Sequence, residues 1–281
     1  MSGMSIINLL HDIMNDGFLK NYKTNSYIIG GAVRDMIINN HVKTFRGYDL
    51  KQINDIDIVV EKENGAMLFT RELKDILGDG VSEPFQLGKY PIWKLIFKED
   101  IRYNGVTYLT ENQEIETADT MKESFPDKSK RSRLTSYGTI EDDILRRDFT
   151  MNQFRMLVST KEIIPPFEDA EKDIEDGWIR ANPNANIDKL FSEDPLRIIR
   201  AIRFHITLGF DISTKVVNSI IRNRDRIKIV SKERLYKELL KIVKVKGGIY
   251  KYIRVLDNLM LLQNVFPEIY AQKSVPQGPD I

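Results

Sequence analysis

Apolar residues at positions 6, 9, 10, 13, 14 and 18 recur at the spacing of an amphipathic helix and predict one over Ile6 to Phe18. The pattern then shortens. Tyr27-Ile28-Ile29 is a β-rich run that stops at Gly30-Gly31, and Ala32 to Ile38 reads as a helix start, which together predict strand, glycine turn and helix. From Ile53 to Val60 apolar and polar residues alternate with period two before the run becomes wholly apolar, the mark of a strand with Asp55 and Asp57 on one face. Further on, the pattern predicts a helix over Ala66 to Leu77 and strands over Trp93 to Phe97, Thr107 to Leu109 and Glu114 to Thr117. Asp119 to Tyr137 is polar, with Pro126 and the cluster Lys128, Lys130, Arg131 and Arg133, and predicts a mobile basic loop. From Glu141 onwards helical spacing dominates, over Glu141 to Arg147, Glu193 to Leu208, Thr214 to Asn223, Ser231 to Val243 and Ile249 to Leu262. The expected fold class is α+β, with an α/β domain over residues 1–155 and an all-helical domain over residues 156–281.

Composition narrows the chemistry. The 281 residues contain no cysteine, which removes disulfides, thiolate zinc sites, iron–sulfur clusters and cysteine nucleophiles. The three histidines, His11, His41 and His205, are too dispersed to suggest a cluster, so a metal here is expected on carboxylate oxygen and to be a hard cation. No basic region followed by an apolar stretch opens the chain and no run approaches the roughly 18 apolar residues of a spanning helix. A cytoplasmic protein without a membrane segment is expected. The formal charge of +1 hides an asymmetry, because Leu196 to Arg254 holds 16 basic residues against four acidic ones. A basic half of that size suits a polyanion partner such as nucleic acid.

Asp55 and Asp57 are spaced to project from the same side of their strand, where two carboxylates repel unless a cation lies between them. Two oxygen donors plus substrate phosphates are what Mg²⁺ takes in preference to an all-protein cage. Upstream, Gly30-Gly31 links a strand to a helix start, so a backbone without side chains can approach a phosphate while helix N–H groups point at it, with Arg34 one helical step away. From Ser192 the sequence predicts a capped helix with acidic residues and Pro195 in its first turn, and with Arg197, Arg200 and Arg203 on one side opposite Ile198, Ile199, Ile202 and Ile206.

Gly30-Gly31-Ala32-Val33-Arg34-Asp35 followed by Asp55-Ile56-Asp57 resembles the signature of the class II tRNA nucleotidyltransferases and bacterial poly(A) polymerases, members of the polymerase-β-like nucleotidyltransferase superfamily. The resemblance continues in order through Arg146-Arg147-Asp148-Phe149-Thr150-Met151-Asn152, Glu193-Asp194-Pro195-Leu196-Arg197, Arg200-Ala201-Ile202-Arg203-Phe204 and Leu208-Gly209-Phe210, and covers about residues 27 to 267. It implies a nucleotidyltransferase head with a mixed sheet, followed by a helical neck that binds nucleotide and RNA, with the body and tail domains of larger members short or absent. It implies a two-metal Mg²⁺ site at Asp55 and Asp57, and nucleotide contacts from Gly30, Gly31, Arg34, Arg147, Asp148, Asn152, Asp194, Arg197, Arg200 and Arg203. Within the family the residues matching Asp194 and Arg197 present hydrogen-bonding edges to the incoming base. A third catalytic carboxylate is expected at Glu116, which resembles the family's strand glutamate, with Glu114 as its rival.

The chain departs from the family in its long Asp35 to Asp55 connection and in Gln153, where a small residue usually follows the motif asparagine. The implied function is template-independent addition of C and A to tRNA 3′ ends from CTP and ATP, with release of pyrophosphate. Poly(A) polymerase, CC-only or A-only addition, and a non-catalytic RNA- or nucleotide-binding homologue are the alternatives.

Overall fold

The structure is a computed structural model that describes residues 2–40, 53, 55–88, 90–124 and 134–275. It divides into two compact units, Met1–Glu123 with Thr135–Asp176, and Ser124–Leu134 with Gly177–Ile281. The boundary falls after Asp176 rather than at residue 155, because the segment after 155 returns to the first unit's sheet and adds two strands to it.

The first unit opens with α1, Ser2–Asn15, whose buried stripe of Ile6, Leu9, Leu10, Ile13 and Met14 is the one expected from the spacing. Phe18 falls outside the helix and is exposed. The sheet is built from β1 (Ser26–Ile29), β2 (Ile56–Val60), β3 (Phe85–Gln86), β4 (Ile92–Ile96), β7 (Glu114–Asp119), β10 (Arg155–Leu157) and β11 (Ile163–Ile164). Their order is β11-β10-β1-β2-β7-β4-β3, with β2 and β7 parallel and the other neighbours antiparallel. The hairpin β5 (Ile101–Tyr103) and β6 (Val106–Tyr108) stands apart, as do β8 (Met121–Ser124) and β9 (Leu134–Tyr137), which flank the undescribed residues 125–133. Strands therefore occupy both ends of the stretch expected to be a loop, and Lys128, Lys130, Arg131 and Arg133 lie outside the described residues.

The helices α2 (Gly31–Asn40), α3 (Gly65–Leu77), α4 (Ile140–Leu145) and α5 (Lys172–Glu175) complete this unit. One sheet face carries Tyr27, Ile29 and Val59 in a cluster with Ile140 and Ile144 of α4. A capping box sets where α4 begins: Thr139 Oγ accepts from Asp142 N at 3.2 Å and Asp142 Oδ2 from Thr139 N at 3.1 Å. On β7 burial alternates, with Ile115, Thr117 and Asp119 buried and Glu114, Glu116 and Ala118 more open. Asp119 ends that buried row by accepting from Asn64 N and Ala66 N, both at 2.7 Å, so a strand carboxylate caps α3 across 53 to 55 positions of sequence.

The second unit is not all-helical. It begins with β12 (Trp178–Ile179), which pairs in parallel with β13 (Asp211–Ile212). The rest is α6 (Ile187–Glu193), α7 (Leu196–Leu208), α8 (Thr214–Asn223), α9 (Lys232–Val243), α10 (Gly248–Asn258), α11 (Leu262–Val265) and α12 (Pro267–Ala271). The helix expected to run from Glu193 to Leu208 is two helices. Pro195 clashes with an α conformation in the residue before it, and Asp194 accordingly lies at φ −135°, ψ 92° between α6 and α7. Ser192 is not the cap; Asn186 caps α6 by accepting from Lys189 N at 3.0 Å. Gly209 at φ 71° closes α7 with its N–H on His205 O, which explains the glycine of Leu208-Gly209-Phe210. Among the described residues no helix is long and apolar enough to cross a membrane.

The Asp119 cap predicts a stability effect. Asp119→Ala leaves two helix-start N–H groups without their acceptor and should lower unfolding free energy by about 1–2 kcal/mol, measured by urea denaturation, whereas Asp119→Asn should lose less.

Candidate metal and nucleotide site

The antiparallel pairing of β1 with β2 sets Ile29 opposite Asp57, one residue before the Gly30 turn. Gly30 has φ +72°, and a β-carbon there would lie 3.7 Å from Asp57 Oδ2 and 4.0 Å from Arg147 Nη1. The glycine turn, the strand aspartate and a motif arginine thus meet at one point, and the left-handed backbone accounts for glycine at its apex. Asp55 precedes β2 rather than lying in it, and it is exposed while Asp57 is half-buried. The expected strand over Ile53 to Val60 is therefore only its second half, and the two aspartates differ in environment.

Across the parallel pair, Asp57 is in register with Glu116, and Glu116 with Lys94 on β4. Register separates the two rival glutamates, since Glu116 neighbours Asp57 and Glu114 is paired with Ile96. Lys94 Nζ bonds Glu114 Oε1 at 2.6 Å and lies 3.3 Å from Glu116 Oε1. Burial, then the Glu116 charge, push the Asp57 carboxyl up to about 6, with Asp55 adding to the rise and Arg147 and Lys94 opposing it. Negative charge accumulated on partly desolvated oxygen donors suits a hard divalent cation, so these residues fit Mg²⁺. Among the described residues no group of three or more His, Asp or Glu side chains is arranged to hold a metal ion.

Arg147 is aimed by a residue that the sequence reading passed over. Asp143 on α4 is fully buried, accepts from Arg147 Nη2 at 2.6 Å and Nε at 3.2 Å, and also holds Arg146 through Nε at 3.0 Å and through Nη2. Burial alone would raise the Asp143 carboxyl, but the guanidiniums of Arg147 and Arg146 hold it below the ordinary range. Gln153 is buried and donates to Arg147 O at 3.4 Å. Arg34 is oriented by Asp35 Oδ1 at 2.8 Å and by Asn152 Oδ1 at 2.9 Å, and Asn152 in turn donates to Asp148 Oδ1 at 2.9 Å. Gly31 opens α2 close to Arg34, whose Nη2 would be 3.5 Å from a β-carbon there. The structure thus connects Gly31, Arg34, Asn152 and Asp148, and separately Gly30, Asp57 and Arg147.

In the second unit α7 buries Ile198, Ile199, Ile202 and Ile206, while Arg200 and Arg203 remain partly exposed and Arg197 is buried. Arg197 Nη1 donates to Leu190 O at 2.8 Å, tying α7 to α6. Asp194 is gripped by the Arg234 fork, Nη1 to Oδ1 at 3.0 Å and Nη2 to Oδ2 at 2.9 Å. Arg203 forms an ion pair with Glu238 at 2.5 Å, and its guanidinium lies 3.9 Å from the Phe204 ring centre. Arg234 and Glu238 sit four apart on α9, and the sequence reading missed both. The signal for Glu238 was its four-residue spacing from Ile242, which puts a carboxylate on the buried side of the helix.

The raised Asp57 pKa predicts a pH-dependent cost of the native residue. Below about pH 3 Asp57 is mostly neutral both folded and unfolded, so Asp57→Asn should leave stability unchanged. Between about pH 4 and 6 the folded state alone resists ionisation, and above 6 the whole cost is present, so that without metal Asp57→Asn should then be more stable than the native chain by about 1–3 kcal/mol. Thermal melts in chelator at pH 3 and pH 7.5 test this, and equal differences at both values would refute it.

The sequence profile of the poly A polymerase head domain matches residues 26–180, and that of the probable RNA and SrmB-binding site of polymerase A matches residues 209–272. The CCA-adding enzyme of Enterococcus faecalis (strain ATCC 700802 / V583) is 29% identical over 231 residues, covering 81% of this chain and 48% of its own length. A solved apo structure of a CCA-adding enzyme superposes with a TM-score of 0.71 at 25% identity, over 94% of this chain and 55% of its own. The Thermotoga maritima CCA-adding enzyme complexed with tRNA shares the fold, with a TM-score of 0.66 at 24% identity over 98% of this chain and 53% of its own. The chain thus spans about half the length of the CCA-adding enzymes it matches. Because the head-domain profile spans more than half of the chain, and takes in the Gly30 turn, Asp57 and Arg147, the chain belongs to the tRNA nucleotidyltransferase and poly(A) polymerase family that its motifs resemble.

Proposed function

We propose that this protein transfers nucleotides from CTP and ATP to the 3′ end of tRNA without a nucleic-acid template, releasing pyrophosphate. The observation that supports this reading most directly is the meeting of Asp57, the Gly30 turn and the Arg147 guanidinium at one point of the first unit. Asp55 and Asp57 would hold Mg²⁺, which when bound supplies activation of the attacking hydroxyl and neutralises the leaving phosphates. The RNA 3′ hydroxyl attacks the α-phosphate of the bound triphosphate. Arg147, held by Asp143, presents a fixed fork to phosphate oxygens and does not lose its charge. The turn at Gly30-Gly31 lets phosphate approach the start of α2, and Arg34, fixed by Asp35 and Asn152, acts beside it. Asp148 and Asn152 shape the sugar pocket.

The second unit supplies recognition. Asp194 offers acceptors and Arg197 donors to a base edge, a protein template whose geometry the Arg234 fork and the Leu190 carbonyl maintain. Arg200 and Arg203 contribute positive charge toward phosphate and ribose. The basic excess between Leu196 and Arg254 serves RNA.

Three outcomes test the assignment. tRNA ending before CCA, after C and after CC, incubated with each triphosphate separately and together, should be extended to CCA and no further. Asp55→Ala and Asp57→Ala should each lower incorporation at least about 10³-fold, the scale of losing preorganised charge stabilisation; unchanged incorporation in both variants would remove the catalytic assignment. RNA affinity should also fall steeply between 50 and 200 mM salt, and a flat dependence in a filter-binding titration would detach RNA from the basic helices.

A further inference from the structure

Lys94 has no part in the proposed chemistry, yet it lies in the sheet row that carries Asp57. Asp57, Glu116 and Lys94 are successive register partners on β2, β7 and β4, so their side chains leave the same face at the roughly 4.8 Å spacing of neighbouring strands. Glu114, two residues before Glu116 on β7, projects to that face as well. The Lys94 ammonium settles between the glutamates, 2.6 Å from Glu114 Oε1 and 3.3 Å from Glu116 Oε1. Lys94 is largely buried, with a side chain 16% exposed, so its attraction is less screened than that of a surface lysine.

We propose that Lys94 is a built-in counter-ion that keeps Glu116 out of the inner coordination shell of the divalent cation at Asp55 and Asp57, and thereby sets the cation affinity of the site. The proposal rests on the metal assignment above. To ligate the cation, Glu116 must surrender a charge-assisted contact with an ammonium that its own strand neighbour Glu114 helps to anchor. Asp57 and Glu116 are adjacent in the sheet, and the Lys94 contact is what stands between Glu116 and the cation. An aspartate pair leaves most coordination positions to triphosphate oxygens and water, which is how Mg²⁺ is ordinarily held at phosphoryl-transfer sites. The cation then binds weakly alone and tightly with the nucleotide. Without Lys94, Glu116 becomes a third donor and the cation binds before the nucleotide arrives.

The test is a Mn²⁺ titration of the intact chain without nucleotide at pH 7.5, with free Mn²⁺ read by electron paramagnetic resonance. Lys94→Met should tighten Mn²⁺ binding about tenfold, the lower end of the change that partners of metal ligands usually cause. Lys94→Arg, which keeps the charge, should bind as the native chain does. Glu116→Gln alone should change affinity less than twofold, and in the Lys94→Met background it should abolish the gain, whereas Glu114→Gln in that background should preserve it. A tenfold loss in Glu116→Gln alone would show that Glu116 is already a ligand and overturn the proposal. So would a Lys94→Met gain that survives removal of Glu116, which would mark a general charge effect. Should Lys94→Met fail to fold, Glu116→Gln by itself decides. Asp57→Asn separates the two levels of inference: Mn²⁺ binding unchanged in that variant would remove the aspartate site itself, whereas lost binding leaves the Lys94 proposal to its own variants.

Discussion

A row of negative charge on an otherwise apolar sheet is the constraint around which the first unit is organised. Asp57 sits on a strand whose other residues are all buried, with Glu116 at its side and Asp55 just ahead of it. Left alone, that arrangement is destabilising, because desolvation and like charge both oppose ionisation. The fold answers it from two directions, with Arg147 on one side and Lys94 on the other. Both cations are held in turn by carboxylates outside the pair, Arg147 by Asp143 and Lys94 by Glu114, so neither is drawn onto Asp57 as a closed ion pair.

Apolar packing is what delivers Arg147. Ile140 and Ile144 seat α4 on the sheet face of Tyr27, Ile29 and Val59, and that contact fixes where Asp143 and the arginines after the helix lie. Charge geometry at the site is thus inherited from hydrophobic seating a few ångströms away. The same division of labour appears in the second unit, where an isoleucine stripe buries one side of α7 and α9 locks the polar side through Arg234 on Asp194 and Glu238 on Arg203. A buried ion pair of this kind costs desolvation and is weak evidence for stability. Its effect here is orientation, since the Arg234 fork bonded to both oxygens of Asp194 fixes how that carboxylate is turned.

Much of this was legible in the chain. Gly30, Asp57 and Arg34 announced themselves because glycine turns, alternating strands and helix starts are local patterns, and Arg147 came from the motif that resembles the family's. The split of the expected Glu193 to Leu208 helix was also legible, since Pro195 forbids helix in Asp194, but helical periodicity on either side masked it. Three features were missed for a non-local reason. The strands β10 and β11 fell in the part expected to be helical, because three- and two-residue strands have too little length for a period, and they exist only by pairing with β1 and with each other. Asp119 looked like the start of a polar loop, but a carboxylate that caps a helix 53 residues earlier leaves no mark on its own neighbourhood. Asp143 and Glu238 drew no reading, because nothing within their own helices shows that another element will bury them.

The sequence by itself determined the α+β character, the motif order and the residue types able to hold a hard cation and phosphate, because each depends on spacing within a single element. Only the tertiary structure decided that Glu116 rather than Glu114 neighbours Asp57, that Lys94 lies beside them, and that Asn152 holds Arg34 across 118 positions. The last is a hydrogen bond between segments far apart in sequence; the others are matters of strand register, where a one-residue shift of a strand would carry its side chain to the other face of the sheet.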